Sequence, residues 1–360
     1  MSALKLSRLT RLREAMQQAE LEALFITNGY NRKYLTGFTG SSGYVLVTEE
    51  RAVLLTDFRY TAQASEQAQG FEVVEHSRKA ILTVREILQK HQIGRLGFEQ
   101  NDVTYGTYLS YFADLGSIEL VPTERIVEKL RMIKDEDELQ IMKEAAALAD
   151  ETFSFIQTKL KPGVSEKQIA LEMEFFMRSK GATSTSFDTI VASGERSALP
   201  HGVASERLLG TNEYVKLDFG AYYKDYCSDL TRTVCLGRPT DKHKEIYQIV
   251  LEAQMHTLAH LQPGMTGKQA DALARDVIKR AGYGDCFGHS TGHGLGMEIH
   301  EAPTLSHVSD TVLEPGMTVT VEPGIYLPGF GGVRIEDDIV ITETGVERLT
   351  HSDKNLIIID

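Results

Sequence analysis

Hydrophobic positions in the first third of the chain switch between helical and strand spacing. Leu6, Leu9, Leu12 and Met16 recur every three or four residues, which is the pattern of an amphipathic helix. Apolar patterns of strand type follow over residues 23–27, 43–55 and 95–99, and a pattern of helical type covers residues 80–91. Residues 1–122 are therefore predicted to form an N-terminal α/β domain with a core of its own.

A second domain is predicted where this pattern changes. Residues 123–134 are interpreted as a linker. A long helix then opens at Asp135, whose carboxylate suits the N-cap position, with Glu138 three residues later as in a capping box. Residues 135–360 are assigned to this second domain. The mixture of helical and strand patterns places the whole chain in the α+β class.

The second domain contains an internal repeat. The stretch Leu160–Gln168 recurs 101 residues later as Leu261–Gln269, with a Pro-Gly turn in each copy. The stretch Val215–Tyr222 recurs 104 residues later as Val319–Tyr326. Each half thus reads as a helix, a Pro-Gly turn, a second helix and a strand hairpin. This predicts a duplication with pseudo-twofold symmetry that places the two hairpins side by side.

The repeated hairpins carry four carboxylates. These are Asp218, Asp229, Glu322 and Glu336. Four converging carboxylates would repel one another strongly unless cations lay between them, so we predict a metal site. His293 is predicted as a fifth ligand, because the glycines around it let the backbone approach a crowded site. Four acids suit a pair of divalent ions, and oxygen donors favour Mn²⁺, Mg²⁺ or Co²⁺. The neighbouring Asp337 and Asp338 are expected at the protein surface.

Three further histidines are candidates for chemistry near this site. His201 and His300 are suited to stabilise an intermediate or to pass a proton to a leaving group. His289 lies four residues before His293 and could share its face or line a pocket. Two other interpretations are weaker: a phosphate loop would need a Lys, and a mononuclear zinc site built on His289 and His293 would need an intervening Glu.

Composition and charge narrow the class of protein. The 360 residues are 42% hydrophobic and 25% charged, which is ordinary for a soluble globular protein. The net charge of −13 argues against nucleic acid or an anionic membrane as the main partner. No apolar run reaches the roughly 18 residues of a membrane span, and the charged N-terminal stretch lacks the apolar core of a signal peptide. Three cysteines without metal-type spacing fit a reducing cytoplasm, where this protein is expected.

The motifs together resemble a known family, the pita-bread metallopeptidases. The segments that carry the resemblance are Leu217–Ala221, Ser228–Thr233, Gly292–Gly296, Val321–Gly324 and Arg334–Asp337. The most similar branch is that of the Xaa-Pro peptidases, aminopeptidase P and prolidase. The resemblance covers nearly the whole chain. It implies a creatinase-like N-terminal domain followed by a pita-bread (creatinase/aminopeptidase) catalytic domain with the internal pseudo-twofold repeat.

The resemblance also implies a metal set and an activity. Asp229 and Glu336 match the carboxylates that bridge two metals, Asp218 matches a ligand of one metal, and His293 and Glu322 match ligands of the other. The implied enzyme holds two divalent ions, with Mn²⁺ expected first and Co²⁺ or Zn²⁺ as alternatives. It cuts the bond between an N-terminal residue and a following proline, and it is usually a homodimer.

The remaining candidates match residues that act on the substrate. Glu322 also matches the proposed acid/base for the nucleophilic water. His201 and His300 match the histidines that flank the scissile bond, and His289 matches one near the proline pocket. Arg334 matches an Arg behind the ligands, which could hold a ligand carboxylate in orientation.

One departure from the family pattern bears on substrate length. Several prolidases carry an Arg four residues after the His that His300 matches, and this chain has Thr304 there. The missing clamp favours aminopeptidase P activity on longer peptides, with prolidase activity on dipeptides as the alternative. Further alternatives are a methionine aminopeptidase, which normally lacks so large an N-terminal domain, a metal-free creatinase-like hydrolase and a non-catalytic peptide-binding module. Retention of all five ligands argues against the last two.

Overall fold

The computed structural model describes residues 3–360 apart from Ser77, and side chains from residue 8 onward. The chain divides into two compact units, Met1–Arg131 and Met132–Asp360. The first unit ends within residues 123–134, the segment interpreted as a linker, and this segment holds the helix Ile126–Met132. Leu9, Leu12 and Met16 are buried as the amphipathic pattern indicates, whereas the side chain of Leu6 lies outside the described part.

The first unit is a six-stranded sheet with helices. Its helices are α1 (Ala3–Gln18), α2 (Gly29–Thr36), α3 (Thr61–Gln67), α4 (Ala80–Lys90), α5 (Tyr105–Leu115) and α6 (Ile126–Met132). Its strands are β1 (Ala23–Ile26), β2 (Tyr44–Thr48), β3 (Ala52–Thr56), β4 (Glu72–Glu75), β5 (Arg95–Glu99) and β6 (Glu119–Thr123). The sheet order is β4-β3-β2-β1-β5-β6, and only β2 runs antiparallel to its neighbours. Apolar residues of β1, β3 and α4 form its core, which confirms an α/β unit.

The second unit combines four long helices with short strands. Its helices are α7 (Glu136–Gln157), α8 (Glu166–Ser179), α9 (Asp241–His260) and α10 (Gly267–Arg280), with 3₁₀ turns at Gly194–Ala198 and Gly284–Cys286. Its strands up to α9 are β7 (Ser184–Thr185), β8 (Ile190–Ser193), β9 (Glu213–Phe219), β10 (Ala221–Tyr223), β11 (Tyr226–Cys227) and β12 (Leu230–Leu236). The later strands are β13 (Gly292–Gly294), β14 (Glu301–Leu305), β15 (Thr318–Val321), β16 (Gly324–Leu327), β17 (Gly331–Arg334), β18 (Asp337–Ile341), β19 (Val346–Arg348) and β20 (Ile358–Ile359).

The two halves of this unit are built alike. In the first half α7 and α8 pack on the sheet β20-β12-β9-β8, and in the second α9 and α10 pack on strands that include β15 and β16. The capping box predicted at α7 is present: Asp135 Oδ1 accepts from Glu138 N at 2.9 Å, and Glu138 Oε2 accepts from Asp135 N at 2.9 Å. This unit is the predicted α+β catalytic fold with its internal repeat.

The repeated Pro-Gly turns adopt the same conformation. Gly163 and Gly264 both have φ of +87°, the left-handed region that favours glycine. Gly163 N donates to Leu209 O at 2.9 Å, and Gly264 N donates to Leu313 O at 2.8 Å. Each turn therefore joins the following helix to an extended segment. The two extended segments, at Leu209 and Leu313, are equivalent and lie 104 residues apart.

The structure contradicts the expected exposure of Asp337 and Asp338, both of which are buried. Asp337 Oδ1 accepts from Arg232 Nη2 at 2.7 Å, and its Oδ2 accepts from Lys354 Nζ at 2.8 Å. Burial by itself would raise the pKa of Asp337, but these two cations hold it at about 2. Asp338 Oδ2 accepts from Asp229 N at 2.8 Å. Ion pairing and a backbone bond replace the water that a surface position would supply.

Within the described residues, no helix is both long enough and apolar enough to cross a membrane.

Candidate metal centre

The two hairpins bring the four carboxylates together. Asp218 lies near the end of β9, opposite Thr231 of β12, and Asp229 directly precedes β12. The chain bends between them at Gly220, where a Cβ atom would lie 1.7 Å from Ser228 O, so only glycine fits. In the second hairpin, Glu322 directly follows β15.

The hairpins join each other directly at the centre of the unit. Glu336 N donates to Thr231 O at 3.1 Å, and Thr231 Oγ1 donates to Glu336 Oε2 at 2.5 Å. Thr233 Oγ1 donates to Arg334 O at 3.0 Å in the same seam. The side-by-side arrangement predicted from the repeat is therefore confirmed.

The glycines on either side of His293 allow its strand to pass close to its neighbours. Cβ atoms at Gly292 and Gly294 would lie 1.9 Å from Thr320 O and 2.3 Å from Ala302 O. The imidazole Nδ1 of His293 lies 3.0 Å from Gly294 O and donates to it, because a carbonyl can only accept. The unprotonated Nε2 then faces the carboxylates, 3.6 Å from Asp229 Oδ2 and 3.6 Å from Glu322 Oε1. This is the tautomer that a metal ligand requires.

All the candidate residues from the sequence line one cavity of about 500 Å³. They are Asp218, Asp229, Glu322, Glu336, His201, His289, His293, His300 and Arg334. Apolar side chains share its wall, among them Phe187, Ile190, Val203 and Ile299. A cavity with one polar, charged end and one apolar wall suits a small, partly apolar ligand.

The carboxylates at the charged end are strongly perturbed. Burial raises the pKa of Asp229 and of Glu336 well above its usual range, and the charges of the neighbouring carboxylates add to the effect. Burial raises the pKa of Glu322 to about 7, against the opposing charge of Arg334. The charged carboxylates therefore need compensation that their surroundings supply only in part.

The cluster also passes a geometric test for a cation. One ligand atom each from Asp229, His293 and Glu336 can lie within 4.8 Å of the others. Among the described residues, Asp229 Oδ1 is buried and has no hydrogen-bond partner. A bound cation would satisfy this atom and neutralise the cluster at once, so the residues present fit a metal site.

Arg334 is the fixed cation behind the carboxylates. Its guanidinium pairs with Asp218, and its Nε lies 3.8 Å from Glu322 Oε2 and 4.0 Å from Glu336 Oε2. Nε also donates to Thr231 Oγ1 at 3.1 Å, and Nη1 donates to Tyr326 OH at 2.9 Å. The guanidinium group thus pairs directly with one carboxylate and lies within about 4 Å of two more, while Thr231 and Tyr326 fix its own position.

His289 lines the wall as a neutral group. Its Nδ1 donates to Ser290 O at 2.8 Å, and its Nε2 accepts from Tyr326 OH at 2.8 Å. Burial lowers the pKa of His289 to about 3, and the charge of Arg334 contributes. Both ring nitrogens are thus engaged by protein atoms, which suits a wall residue better than a metal ligand.

His300 and His201 lie at the remaining sides of the cavity. The rings of His293 and His300 are 4.4 Å apart between centroids, and burial lowers the pKa of His300. His201 is exposed. Sequence reasoning missed Thr231, Tyr326 and the buried Lys216 near this site. Lys216 lies two residues before Asp218. Because alternate residues of a strand face the same side, this spacing indicates that Lys216 lies near the site.

The profiles of two known families match the chain. The profile of metallopeptidase family M24 matches residues 140–343, and the profile of the Creatinase/Prolidase N-terminal domain matches residues 8–133. The chain therefore belongs to metallopeptidase family M24 and carries a Creatinase/Prolidase N-terminal domain.

Two relatives are similar along almost their whole length. An uncharacterized peptidase, YqhT, of Bacillus subtilis is 57% identical over 98% of this chain and 100% of its own length. An Xaa-Pro dipeptidase of Pyrococcus furiosus is 39% identical over 97% of this chain and 99% of its own length.

Two solved structures show the same fold. The Xaa-Pro dipeptidase of Bacillus anthracis has a TM-score of 0.96 and 55% identity, covering 98% of this chain and 99% of its own. The X-Pro aminopeptidase of Thermotoga maritima has a TM-score of 0.90 and 38% identity, covering 96% of this chain and 99% of its own.

Metal binding should release protons from this site. In the metal-free protein burial raises the pKa values of Asp229 and Glu336 well above their usual range and that of Glu322 to about 7, so Glu322 is partly protonated near neutrality. A divalent ion binds the carboxylate forms, so affinity should rise as the pH increases through about 7. Titration calorimetry in two buffers of different ionisation enthalpy measures the protons released.

The same groups set the sign of stability against pH. Because folding raises their pKa values, the folded metal-free protein holds protons that the unfolded chain releases, and its stability should fall as the pH rises through about 7. Metal-binding heats that are identical in the two buffers would contradict the proton release predicted for these carboxyl groups.

Proposed function

We propose that this chain is a dinuclear-metal Xaa-Pro dipeptidase, which hydrolyses the bond between an N-terminal residue and a following proline. The observation that carries the proposal is the 55% identity to the Bacillus anthracis Xaa-Pro dipeptidase over 98% of the chain. The carboxylate cavity supplies the chemistry that such an activity needs. The similarities support the dipeptidase better than the aminopeptidase P activity that Thr304 favours.

In this proposal five side chains hold two metal ions. Asp229 and Glu336 would be shared by both ions, Asp218 would add a ligand for one ion, and His293 and Glu322 would add ligands for the other. Mn²⁺ is proposed first, with Co²⁺ or Zn²⁺ as alternatives, because most of the donors are carboxylate oxygens. When bound, such ions would supply the positive charge that acidifies a water molecule and stabilises developing negative charge on the peptide oxygen.

The side chains around the ions act on the substrate. Glu322 accepts the proton of the nucleophilic water and later returns it towards the proline nitrogen. His201 and His300 donate hydrogen bonds to the peptide at opposite sides of the scissile bond, where the developing negative charge strengthens them. The apolar wall with Phe187 and Ile190 receives the proline ring.

Aminopeptidase P activity is the second candidate, and Thr304 favours it. Thr304 is opposite His293 in the register of β13 and β14, it lines the cavity, and it is exposed. Among the described lining residues the only Lys or Arg is Arg334, which already pairs with Asp218. The described lining residues therefore offer no unpaired cation that would select for the free carboxylate of a dipeptide over a longer peptide. The Thermotoga maritima X-Pro aminopeptidase, at 38% identity, agrees with this alternative.

A homodimer is proposed from the family resemblance alone. Sedimentation velocity on the full chain tests it, because a monomer of 40.1 kDa and its dimer separate clearly.

The proposed function is tested by comparing Gly-Pro with Gly-Pro-Ala, with Mn²⁺ added and then removed by a chelator. A dipeptidase should cleave Gly-Pro, lose this activity on chelation, and leave Gly-Pro-Ala largely intact. The variant Glu336→Gln should retain less than about 1% of the activity, since it removes a proposed bridging ligand. The matched control Glu172→Gln alters a partly exposed carboxylate, 3.7 Å from Lys159, and should keep full activity.

The outcomes separate the candidates. Metal-dependent cleavage of both peptides would establish aminopeptidase P activity instead. Cleavage of neither by the metal-loaded protein would overturn both.

A cation at position 304 should sharpen the preference for dipeptides. In Thr304→Arg the new guanidinium would lie on the cavity wall, where it can pair with the free carboxylate of a dipeptide. The ratio of kcat/KM for Gly-Pro to that for Gly-Pro-Ala should rise about tenfold, which corresponds to about 1.4 kcal/mol. The uncharged control Thr304→Gln should leave the ratio near that of the wild type. An unchanged ratio in the Arg variant would show that position 304 does not meet the substrate carboxylate.

A further inference from the structure

A buried lysine stands beside the carboxylate cluster. Lys216 is fully buried on β9, two residues before Asp218, so both side chains point to the same face of the strand. A buried strand position of this kind is usually filled by Val, Ile or Leu, because burying an ammonium group is costly.

The ammonium group donates to one short segment of backbone. Lys216 Nζ donates to Leu199 O at 2.6 Å and to Pro200 O at 3.2 Å. Nζ also lies 5.1 Å from the centre of the Tyr326 ring, a cation–π contact. Both carbonyl groups belong to the two residues that directly precede His201.

This segment lies outside the strands and depends on such contacts for its position. Leu199 is 49% exposed and His201 is exposed, whereas Gly202 is buried with its N donating to Leu199 O at 3.2 Å. Pro200 O also accepts from Arg334 Nη1 at 3.1 Å. The carbonyl of Pro200 is therefore shared by two buried side-chain donors, one of which also pairs with Asp218.

The second half of the repeat uses the equivalent position in a similar way. Thr320 lies two residues before Glu322, as Lys216 lies two residues before Asp218. Thr320 Oγ1 accepts from His293 N at 3.1 Å and donates to Glu322 Oε1 at 3.2 Å. In both halves, this position fixes the backbone of a segment that brings an imidazole to the cavity. Lysine reaches a more distant segment than threonine can.

We propose that Lys216 is a positioning residue that fixes the Leu199–His201 backbone, and through it the His201 imidazole. The inference rests on the role given to His201 in the proposed function. Without the ammonium group, Leu199 O and Pro200 O lose a buried donor and the segment gains freedom. Misplacement of a group that acts in the transition state lowers kcat more than it raises KM.

The test is a double-mutant cycle between Lys216→Met and His201→Ala. Methionine has a similar length and no N–H donor. In the wild-type background Lys216→Met should lower kcat for Gly-Pro at least about tenfold with little change in KM. In the His201→Ala background it should change kcat by less than about twofold, because the group it positions is gone. Equal losses in both backgrounds, or no loss in the wild type, would overturn the proposal.

A second readout does not depend on activity. Hydrogen exchange of the peptide that spans Leu199–Val203 should be at least about fivefold faster in Lys216→Met than in the wild type. The bound metal should stay the same. Lys224→Met is the matched control, since Lys224 is an exposed lysine that pairs with Glu144, and it should change neither quantity. Unchanged exchange in the Lys216 variant would overturn the proposal.

Two further variants keep the test decisive. Lys216→Arg retains donors and charge, and should retain more kcat than Lys216→Met. If the Met variant does not fold, Lys216→Gln, which keeps one N–H donor group, enters the same cycle. A wild-type protein that leaves Xaa-Pro substrates intact, or an His201→Ala variant with full activity, would refute the proposed function instead. Loss of the cycle's coupling alone refutes only the role of Lys216.

Discussion

Mutual repulsion among four carboxylates, three of them buried, is the constraint on which the catalytic unit depends. Asp218, Asp229, Glu322 and Glu336 meet where the two hairpins join, and burial together with the charges of the neighbouring carboxylates raises the pKa of Asp229 and Glu336 well above the usual range. Such a cluster is stable only if positive charge lies within it. One cation, Arg334, is built into the chain, and the unpaired Oδ1 of Asp229 marks where further positive charge is needed.

A second layer of buried charge supports the first. Arg232 donates to Glu336 O, to Asp337 Oδ1 at 2.7 Å and to Ser352 O at 2.8 Å. Lys354 approaches the other oxygen of Asp337. The backbone on both sides of Glu336 is thus held by an ion network, and removing one partner of such a network typically costs about 3–5 kcal/mol. Rigidity of this kind keeps ligand carboxylates in place before any ion arrives.

Much of the architecture could be predicted because it is encoded locally or by repetition. The capping box at Asp135 involves residues three positions apart. The Pro-Gly turns and the hairpins each occur twice with similar sequences, so their structural equivalence can be read from the sequence. Convergence of the candidate residues on one cavity follows from that symmetry. These features need no knowledge of distant contacts.

What could not be predicted depends on distant partners. Asp337 is buried because Arg232, 105 residues earlier, reaches it, and nothing near Asp337 in the sequence indicates this. Lys216 reads as an ordinary strand residue until the carbonyl groups of Leu199 and Pro200 are seen beside its ammonium group. Thr304, which stands where several prolidases have an Arg, favours activity on longer peptides. Similarity along the whole chain favours activity on dipeptides. Substrate length is a property of the whole cavity rather than of one motif.

The number of metal ions bound per chain tests the central claim most directly. Equilibrium dialysis of the chelated protein against Mn²⁺, followed by elemental analysis, gives this number. The account predicts two ions per chain, lost together when Glu336, proposed as a ligand of both, is replaced by Gln. Binding of no ion, or unchanged binding of two ions in that variant, would contradict it.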